Sequence, residues 1–166
     1  MIADYQFSSS IGSSLFPRVE DVSISRKTGK IKEISEGKSH IATLNPRSGT
    51  FSLSMEGARR LVGRDDCPCI TIKDEFILPI SRGGNVFAKH VAGSSNWVHP
   101  SSETIVTSEA SRVLAVGRSL LSSEEAKRFK HGIAIKVRRG VNSKDVPSEN
   151  GSQNNAQTHG QNGTET

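Results

Sequence analysis

The sequence predicts an α+β N-terminal domain, then a small, mostly-β and partly closed barrel, then a polar C-terminal tail that stays disordered. Residues 1–69 mix strand-like and helical apolar spacings, and residues 70–142 hold short alternating segments with two helical ones. Residues 143–166 contain almost no apolar side chains, so they cannot bury enough surface to offset the entropy of ordering. Period-two alternation is typical of strands, and spacings of three or four residues are typical of amphipathic helices.

The first domain begins with a helix and a hairpin. Apolar residues recur unevenly over residues 4–15, which predicts a short helix closed by Pro17. Residues 19–34 alternate on both sides of the turn sequence Lys-Thr-Gly-Lys at residues 27–30. An alternating run interrupted by a glycine-containing turn predicts a β-hairpin.

Two further strands and a second helix complete this domain. Residues 40–44 and 51–53 alternate on either side of a turn that contains proline and glycine, and both are predicted strands. Apolar residues then recur with helical spacing after Ser54, whose hydroxyl suits a helix N-cap. Gly63 is expected to end this helix, and residues 64–66 are expected to form a linker.

The second domain begins with a predicted strand at residues 70–72. Residues 76–80 predict a short helix or turn that the pair Gly83-Gly84 ends, and residues 85–91 predict another strand. Glycine lets a backbone approach a ligand closely. Taken alone, however, the glycine pair is better explained as a plain turn.

The remaining segments complete the predicted barrel. Residues 104–108 and 113–118 are expected to form a hairpin. Ser122 precedes two acidic residues, a pattern that caps a helix N-terminus, and Gly132 is expected to end the helix. Residues 133–138 alternate as a last strand. Five short strands together with two short helices favour a small, partly closed barrel.

The charge of the chain favours an anionic partner. Residues 1–142 hold 21 basic and 14 acidic residues, and nucleic acid or a membrane surface would suit that surplus. No apolar run reaches the roughly 18 residues of a spanning helix. The first residues lack the basic and apolar regions of a signal peptide, so we expect a cytoplasmic protein without a membrane partner.

The strongest physical signal is a run of basic residues between positions 127 and 140 with no acidic residue among them. Lys136 and Arg138 lie two apart on the predicted last strand and therefore share a face, where they suit consecutive phosphates. Arg139 extends this group. A solvated strand face explains the same residues about equally well, so composition leaves both interpretations open.

Additional donors are expected before the basic run. Lys89 and His90 lie on the predicted strand 85–91, and Arg82 lies in the helix or turn that precedes Gly84. These residues have no partner that the sequence identifies.

Several stretches of the second domain together carry a family resemblance. They are Gly-Asn-Val-Phe-Ala-Lys at 84–89, Leu-Ala-Val-Gly-Arg at 114–118, Leu-Ser-Ser-Glu-Glu at 121–125 and Lys-His-Gly-Ile-Ala-Ile-Lys-Val-Arg at 130–138. In this order and spacing they resemble a PUA domain, the RNA-binding module named for pseudouridine synthases and archaeosine transglycosylases. The resemblance implies an RNA groove between the first helix, the second strand and the last strand. The matching positions are Arg82, Gly84, Lys89, Lys136 and Arg138.

The first domain resembles the neighbour of that module. Ala-Asp-Tyr-Gln-Phe at 3–7, Leu-Phe-Pro at 15–17, Ser-Arg-Lys-Thr-Gly-Lys-Ile at 25–31 and Gly-Ala-Arg-Arg-Leu at 57–61 carry the resemblance. They are similar to the small α+β domain before the PUA domain in archaeal tRNA-guanine transglycosylases. Ser8 departs from that pattern, because the family tends to have glycine there.

The resemblance implies a non-catalytic, RNA-binding protein that binds tRNA and takes part in tRNA modification. The catalytic barrel of the transglycosylases, with its aspartate nucleophile and cysteine-rich zinc site, has no counterpart in these residues. A separate transglycosylase chain is therefore an expected partner. A protein-interaction role on the ribosome or in translation is the alternative. The sequence indicates no catalytic residue and no cofactor.

Three residues invite other interpretations. Cys67 and Cys69 could ligate zinc, but a second pair of ligands at a usual spacing is missing. We expect reduced thiols, because a disulfide across one intervening residue would be strained and the chain is expected in a reducing compartment. Trp97 could stack on an unpaired base, although a loop aromatic that folds back on the barrel is the expected role.

Overall fold

The chain folds into two units, each built on one β-sheet, in the computed structural model. The predicted disordered tail, residues 143–166, lies outside the described residues. The described residues are 2–7, 10–18, 21–24, 26–27, 29 and 31–142.

Two short helices begin the N-terminal unit, so the prediction of one helix over residues 4–15 is wrong. Helix α1 spans Ile2–Gln6 and helix α2 spans Ile11–Leu15. The Asp4 carboxylate accepts a hydrogen bond from the Gly12 backbone N–H (2.7 Å), which holds α2 back against α1. The sequence between the helices is serine-rich, and serine competes for backbone hydrogen bonds and weakens a helix interior.

A four-stranded antiparallel sheet follows, with its strands in chain order. The first two strands form the predicted hairpin, and the next two match the strands predicted at 40–44 and 51–53. Short turns join β2 to β3 and β3 to β4, as antiparallel neighbours allow. The strands are β1 (Asp21–Ile24), β2 (Ile31–Glu36), β3 (Ser39–Asn45) and β4 (Thr50–Leu53).

Helix α3 (Met55–Leu61) covers this sheet and has the predicted cap. The Ser54 hydroxyl accepts a hydrogen bond from the Gly57 N–H (3.0 Å). A side chain at Gly57 would collide with the Ile41 carbonyl, so glycine allows the helix to approach β3 closely. The segment that follows is held in place, because Arg64 contacts both Asp66 (2.8 Å) and the Ser14 hydroxyl (2.7 Å).

The second unit is a six-stranded, nearly closed sheet in the order β6-β10-β9-β8-β5-β7. All neighbours in it are antiparallel except β5 and β8. This arrangement confirms the predicted small barrel. Its strands are β5 (Cys69–Ile72), β6 (Val86–Phe87), β7 (Val91–Ser94), β8 (Glu103–Thr107), β9 (Val113–Ser119) and β10 (Ile133–Gly140).

The single strand predicted over residues 85–91 is wrong. The chain forms β6, then a 3-10 turn at Ala88–His90, and then β7. The break has a topological cause. Strand β6 pairs with β10 at one edge of the sheet, whereas β7 pairs with β5 at the other, so the chain must change direction between them.

The structure confirms the predicted cap of the last barrel helix but not its predicted end. A 3-10 turn leads into α4 (Ile77–Ser81), which is the predicted helix or turn. Helix α5 (Ser123–Arg128) has a capping box in which the Ser122 N–H donates to the Glu125 carboxylate (2.8 Å), and this bond lowers the pKa of Glu125. The helix ends well before the expected Gly132, which instead leads into β10.

Cys67 and Cys69 are joined by a disulfide, so the expectation of two reduced thiols is wrong. The chain turns at Pro68, where the Cys69 N–H donates to the Cys67 carbonyl (2.8 Å). This turn leaves the two Cα atoms 5.5 Å apart, within the range that disulfides span. The pair lies at the junction of the two units.

Two apolar clusters form the interior. The barrel cluster is built from residues of the barrel itself, among them Ile70, Ile80 and Ile135. The N-terminal cluster also takes in Ile105 and Val116, which belong to barrel strands and are completely buried. The two units therefore pack directly against each other.

Candidate nucleic-acid interface

Strand β10 presents two of its three cations to a groove between the two units. The groove has a volume of about 860 Å³, and Lys136 and Arg138 both line it. Lys136 is exposed, and its Cα lies opposite that of Arg118 on the neighbouring strand β9. The structure therefore brings together the two residues that the sequence placed on one face, and it adds a third cation beside them.

Arg138 is engaged within the molecule. Its guanidinium contacts the carboxylate of Glu103, with Nη1 donating to Oε2 (2.9 Å), and Nη2 donates to the Leu53 carbonyl (2.7 Å). Glu103 is only 6% exposed and also accepts a hydrogen bond from the Leu53 N–H (2.9 Å). Arg138 and Glu103 thus fasten the barrel to β4. A role for Arg138 in binding phosphate stays a prediction.

A bulge in β10 separates Arg138 from Arg139. The pairing with β9 shifts between Val137 and Arg139, and Arg139 lies opposite Val116. Two consecutive arginines are therefore exposed on one strand, which regular alternation does not allow. Arg139 is not among the residues that line the groove.

Arg82 and Gly84 lie in the loop after α4, away from the groove lining. Arg82 is exposed, and the Gly84 N–H donates to the Pro79 carbonyl (3.0 Å). A Cβ at Gly84 would lie 2.8 Å from the same carbonyl oxygen, so packing against α4 already requires this glycine. The Asn142 N–H donates to the Ser81 carbonyl (2.8 Å), which holds the loop beside the end of β10.

Lys89 and His90 differ in solvent exposure, although both lie in the 3-10 turn. Lys89 is exposed, whereas His90 is buried and stacks on Phe76 with ring centroids 3.9 Å apart. The Phe87 N–H donates to His90 Nδ1 (3.2 Å), and burial lowers the pKa of His90. The expectation that His90 offers a donor to a ligand is therefore wrong, because a turn replaces the predicted strand there.

The turn brings Lys89 close to the second part of the basic run. The Ala88 N–H donates to the Gly132 carbonyl (2.9 Å), and Phe87 pairs with Ile133. Lys130 and His131 immediately precede this contact and are exposed. The predicted site residues thus divide into two groups, one in the groove and one along the β6 edge of the barrel.

Trp97 belongs to neither group. It lies in the loop between β7 and β8, and 43% of its surface is exposed. Its neighbour Val98 is buried in the barrel cluster and fixes the loop there. A stacking role for Trp97 stays a prediction.

Sequence reasoning did not select two residues that line the groove, Arg118 and Tyr5. Arg118 belongs to the Val-Gly-Arg segment, at the end of a predicted strand. The signal that could have identified it is its position in that strand, because pairing with the last strand places Arg118 opposite Lys136. Tyr5 falls in the segment 4–15 that predicts a helix, and it lies in α1 with 96% of its surface exposed. No local pattern indicates this exposure.

Two other kinds of site do not occur within the described part of the chain. No three His, Cys, Asp or Glu side chains there come together as a metal site. No helix among the described residues is long and apolar enough to cross a membrane. The charged surfaces of the barrel are thus its main candidate features.

Two family models match consecutive parts of the chain. Residues 1–68 match the patch-forming domain C2 of tRNA-guanine transglycosylase, and residues 68–141 match the PUA domain. The chain thus carries these two domains in this order, which confirms both resemblances.

Archaeal tRNA-guanine(15) transglycosylases are similar to this chain in sequence. The protein of Thermococcus kodakarensis is 38% identical over 142 residues, and that of Methanothermobacter thermautotrophicus is 34% identical over 142 residues. Each alignment covers 84% of this chain but only 24% and 22% of the relative. The chain therefore spans about a quarter of the length of these curated relatives and matches their C-terminal region.

A solved structure shows the same fold over most of the chain. A hypothetical protein from Pyrococcus horikoshii OT3 superposes with a TM-score of 0.69 and 16% identity, and the match covers 86% of this chain and 87% of that one. The agreement extends across both units. At this level of identity it concerns the fold alone.

Proposed function

We propose that this chain, a patch-forming domain C2 joined to a PUA domain, is a non-catalytic part of the tRNA modification machinery that binds tRNA. The observation that carries the proposal is the pair of exposed cations on β9 and β10, Arg118 and Lys136, facing a groove between the two units. Cations spaced along a groove suit the phosphate backbone of structured RNA, which proteins recognise mainly by shape.

Electrostatics supports the barrel as the main binding unit. Residues 70–142 hold 11 basic and 6 acidic residues, whereas residues 1–69 hold 10 basic and 8 acidic ones. Of the two predicted site residues that line the groove, Lys136 is exposed and Arg138 is bound to Glu103. The other predicted site residues would contact RNA along the barrel edge; they are Arg82, Gly84, Lys89 and Arg139. Arg138 would add positive electrostatic potential to the groove while it stays bound to Glu103.

The catalytic unit would come from outside these residues. The relatives at 34–38% identity are named as transglycosylases, and this chain spans only about a quarter of their length. We propose that the chain positions tRNA in the cytoplasm for a guanine transglycosylase catalytic unit on a separate chain. Binding of a ribosomal component that does not depend on the groove cations is the outcome that would favour a translation-related role instead.

Two comparisons test this function. The wild-type protein is expected to bind total tRNA in a filter or anisotropy assay, and Lys136→Ala is expected to weaken binding of every tRNA by a similar factor, because a phosphate contact carries no sequence information. Lys38→Ala, which removes an exposed cation from the turn between β2 and β3, is the matched control and should bind like wild type. Folded protein that fails to bind tRNA would contradict the proposal.

The partner requires a separate assay. Adding the chain to an archaeal transglycosylase catalytic domain should raise guanine exchange into tRNA, and the Lys136→Ala variant should raise it less. If the two proteins do not co-elute and exchange is unchanged while tRNA binding persists, the separate catalytic partner is wrong and tRNA binding stands.

A further inference from the structure

Tyr5 is an exposed aromatic side chain at the rim of the groove. It is the single tyrosine of the chain and is 96% exposed, whereas its neighbour Ala3 is fully buried. Aromatic side chains are usually at least partly buried because exposing their rings to water is unfavourable. A tyrosine left open beside a groove lined with cations offers a ring face to a ligand.

The structure fixes the backbone that carries Tyr5. The next residue, Gln6, makes two hydrogen bonds with the backbone of Phe51 on β4, as its Nε2 donates to the Phe51 carbonyl (2.8 Å) and its Oε1 accepts from the Phe51 N–H (2.6 Å). The side chain of Gln6 thus acts like an added strand partner for β4. Tyr5 is held in position on a short helix that would otherwise be only marginally stable.

The barrel strands supply the cations of the groove. Arg118 Nε donates to the Ser101 carbonyl (3.0 Å), which orients the guanidinium, and Lys136 lies beside it in register on β10. Both residues line the same groove as Tyr5. A guanidinium held at Nε keeps the two Nη groups available for an oxygen ligand.

Small polar side chains of the N-terminal unit also line the groove. They are hydroxyl and amide groups from β3, β4 and the turn between them, and these can donate to or accept from a base edge or a ribose hydroxyl. The groove therefore combines the exposed ring of Tyr5 with the cations Arg118 and Lys136, the Arg138–Glu103 ion pair and several small polar groups. These polar residues are Asn45, Ser48, Thr50 and Ser52.

We infer that this groove binds a short single-stranded segment of RNA, with one unpaired base stacked on Tyr5 and the adjoining phosphates on Arg118 and Lys136. The inference rests on the proposed tRNA binding and specifies where an unpaired nucleotide of the RNA is held. It also requires both units, because Tyr5 comes from the N-terminal unit and the two cations come from the barrel.

Base stacking makes the inference distinct from general phosphate binding. A base in a duplex has both faces covered by its neighbours, so Tyr5 can stack only on an unpaired or terminal base. Loss of the ring should therefore weaken the binding of single strands much more than the binding of duplexes, whereas loss of Arg118 should weaken both.

The test uses the full chain and a single-stranded RNA octamer that contains 2-aminopurine, together with a blunt RNA duplex of the same sequence. Because stacking on an aromatic side chain contributes about 1–3 kcal/mol per base, Tyr5→Ala should weaken octamer binding roughly 5- to 150-fold. Tyr5→Phe should retain binding and the fluorescence change of 2-aminopurine. Phe129→Ala, which removes an exposed aromatic that does not line the groove, is the matched control.

The outcomes separate this inference from the proposed function. If wild type binds tRNA and Tyr5→Ala, folded by circular dichroism, binds the octamer equally well, the Tyr5 site is wrong and tRNA binding stands; the groove would then be open to a protein partner. If folded wild type binds neither tRNA nor the octamer, the proposed function and this inference both fail. A selective loss on the octamer, restored in Tyr5→Phe, supports the inference.

Discussion

The two units of this molecule differ in how far each supplies its own interior. Among the described residues, all buried members of the barrel cluster come from the barrel. The N-terminal cluster, in contrast, includes Ile105 and Val116 from barrel strands. A polar link also joins the two units, because the Glu103 carboxylate of the barrel accepts hydrogen bonds from both Arg138 of β10 and the Leu53 N–H of β4. We therefore expect the fold of the first unit to depend on the second.

Separating the units is the strongest way to break this comparison. Residues 70–142 alone are expected to fold, because their cluster remains complete. Residues 1–69 alone are expected to lose most of their fixed structure, because the sheet loses the apolar side chains that cover it. Dispersion of amide resonances in the NMR spectrum of each fragment measures this. A well-folded fragment 1–69 would show that the dependence is wrong.

Two matched core truncations sharpen the comparison. Ile105→Ala and Ile70→Ala remove the same atoms from strands β8 and β5, and each is expected to lower the free energy of unfolding by about 2–5 kcal/mol. Ile105 packs in the N-terminal cluster and Ile70 packs in the barrel cluster. Hydrogen exchange should therefore accelerate most in β2–β4 for Ile105→Ala and in the barrel strands for Ile70→Ala. Identical exchange patterns would contradict the division.

The polar link between the units should contribute less. Glu103→Ala leaves Arg138 and the Leu53 N–H without their acceptor, which should cost about 1–3 kcal/mol of the free energy of unfolding. Arg138 is 41% exposed and can turn to water, which limits the loss. Urea unfolding measures the change, with Glu109→Ala, an exposed carboxylate in the β8–β9 turn, as control.

The Glu103→Ala substitution should also change the affinity for tRNA. Removing the Glu103 carboxylate releases the Arg138 guanidinium and makes the groove more positive, so tRNA binding should become tighter while stability falls. Unchanged or weaker tRNA binding in a folded Glu103→Ala variant would show that Arg138 acts only as a structural link.

The smallest expected effect concerns His90. Burial lowers the pKa of His90 in the folded chain, so the unfolded state binds more protons at mildly acidic pH. This contribution to stability is fully present above the ordinary histidine pKa, and it is lost as pH falls below that value toward the lowered one. Thermal unfolding at pH 7.5 and pH 5.5 should therefore show a smaller decrease in Tm for His90→Gln than for wild type. An equal decrease in Tm in both proteins would contradict a contribution of His90 to the pH dependence of stability.

Local patterns were sufficient for most of the fold. Ser54 and Ser122 were identified as helix caps from their neighbours, and the alternation of β9 and β10 gave their positions, because caps and alternation depend on residues close in sequence. The break between β6 and β7 was missed, because it depends on which strands lie at the sheet edges. The disulfide between Cys67 and Cys69 depends on the turn that the backbone makes at the junction.

The candidate site was predictable only in part. Lys136 follows from strand alternation, but the engagement of Arg138 depends on Glu103, 35 residues away, and on a backbone carbonyl of the other unit. Tyr5 and Arg118 line the same groove because the two units pack against each other. The proximity of side chains distant in sequence is set by tertiary packing, which neither periodicity nor charge pattern encodes.

The salt dependence of tRNA binding tests the central claim most directly. The apparent association constant of wild type should fall linearly with salt on logarithmic axes. The double variant Arg118→Ala/Lys136→Ala should bind more weakly, with a slope shallower by roughly two units, about one for each phosphate that is no longer neutralised. The control Lys32→Ala/Lys38→Ala removes the same charge from the N-terminal sheet and should keep the wild-type slope. A double groove variant with wild-type affinity and slope would contradict a phosphate-binding groove between the two units.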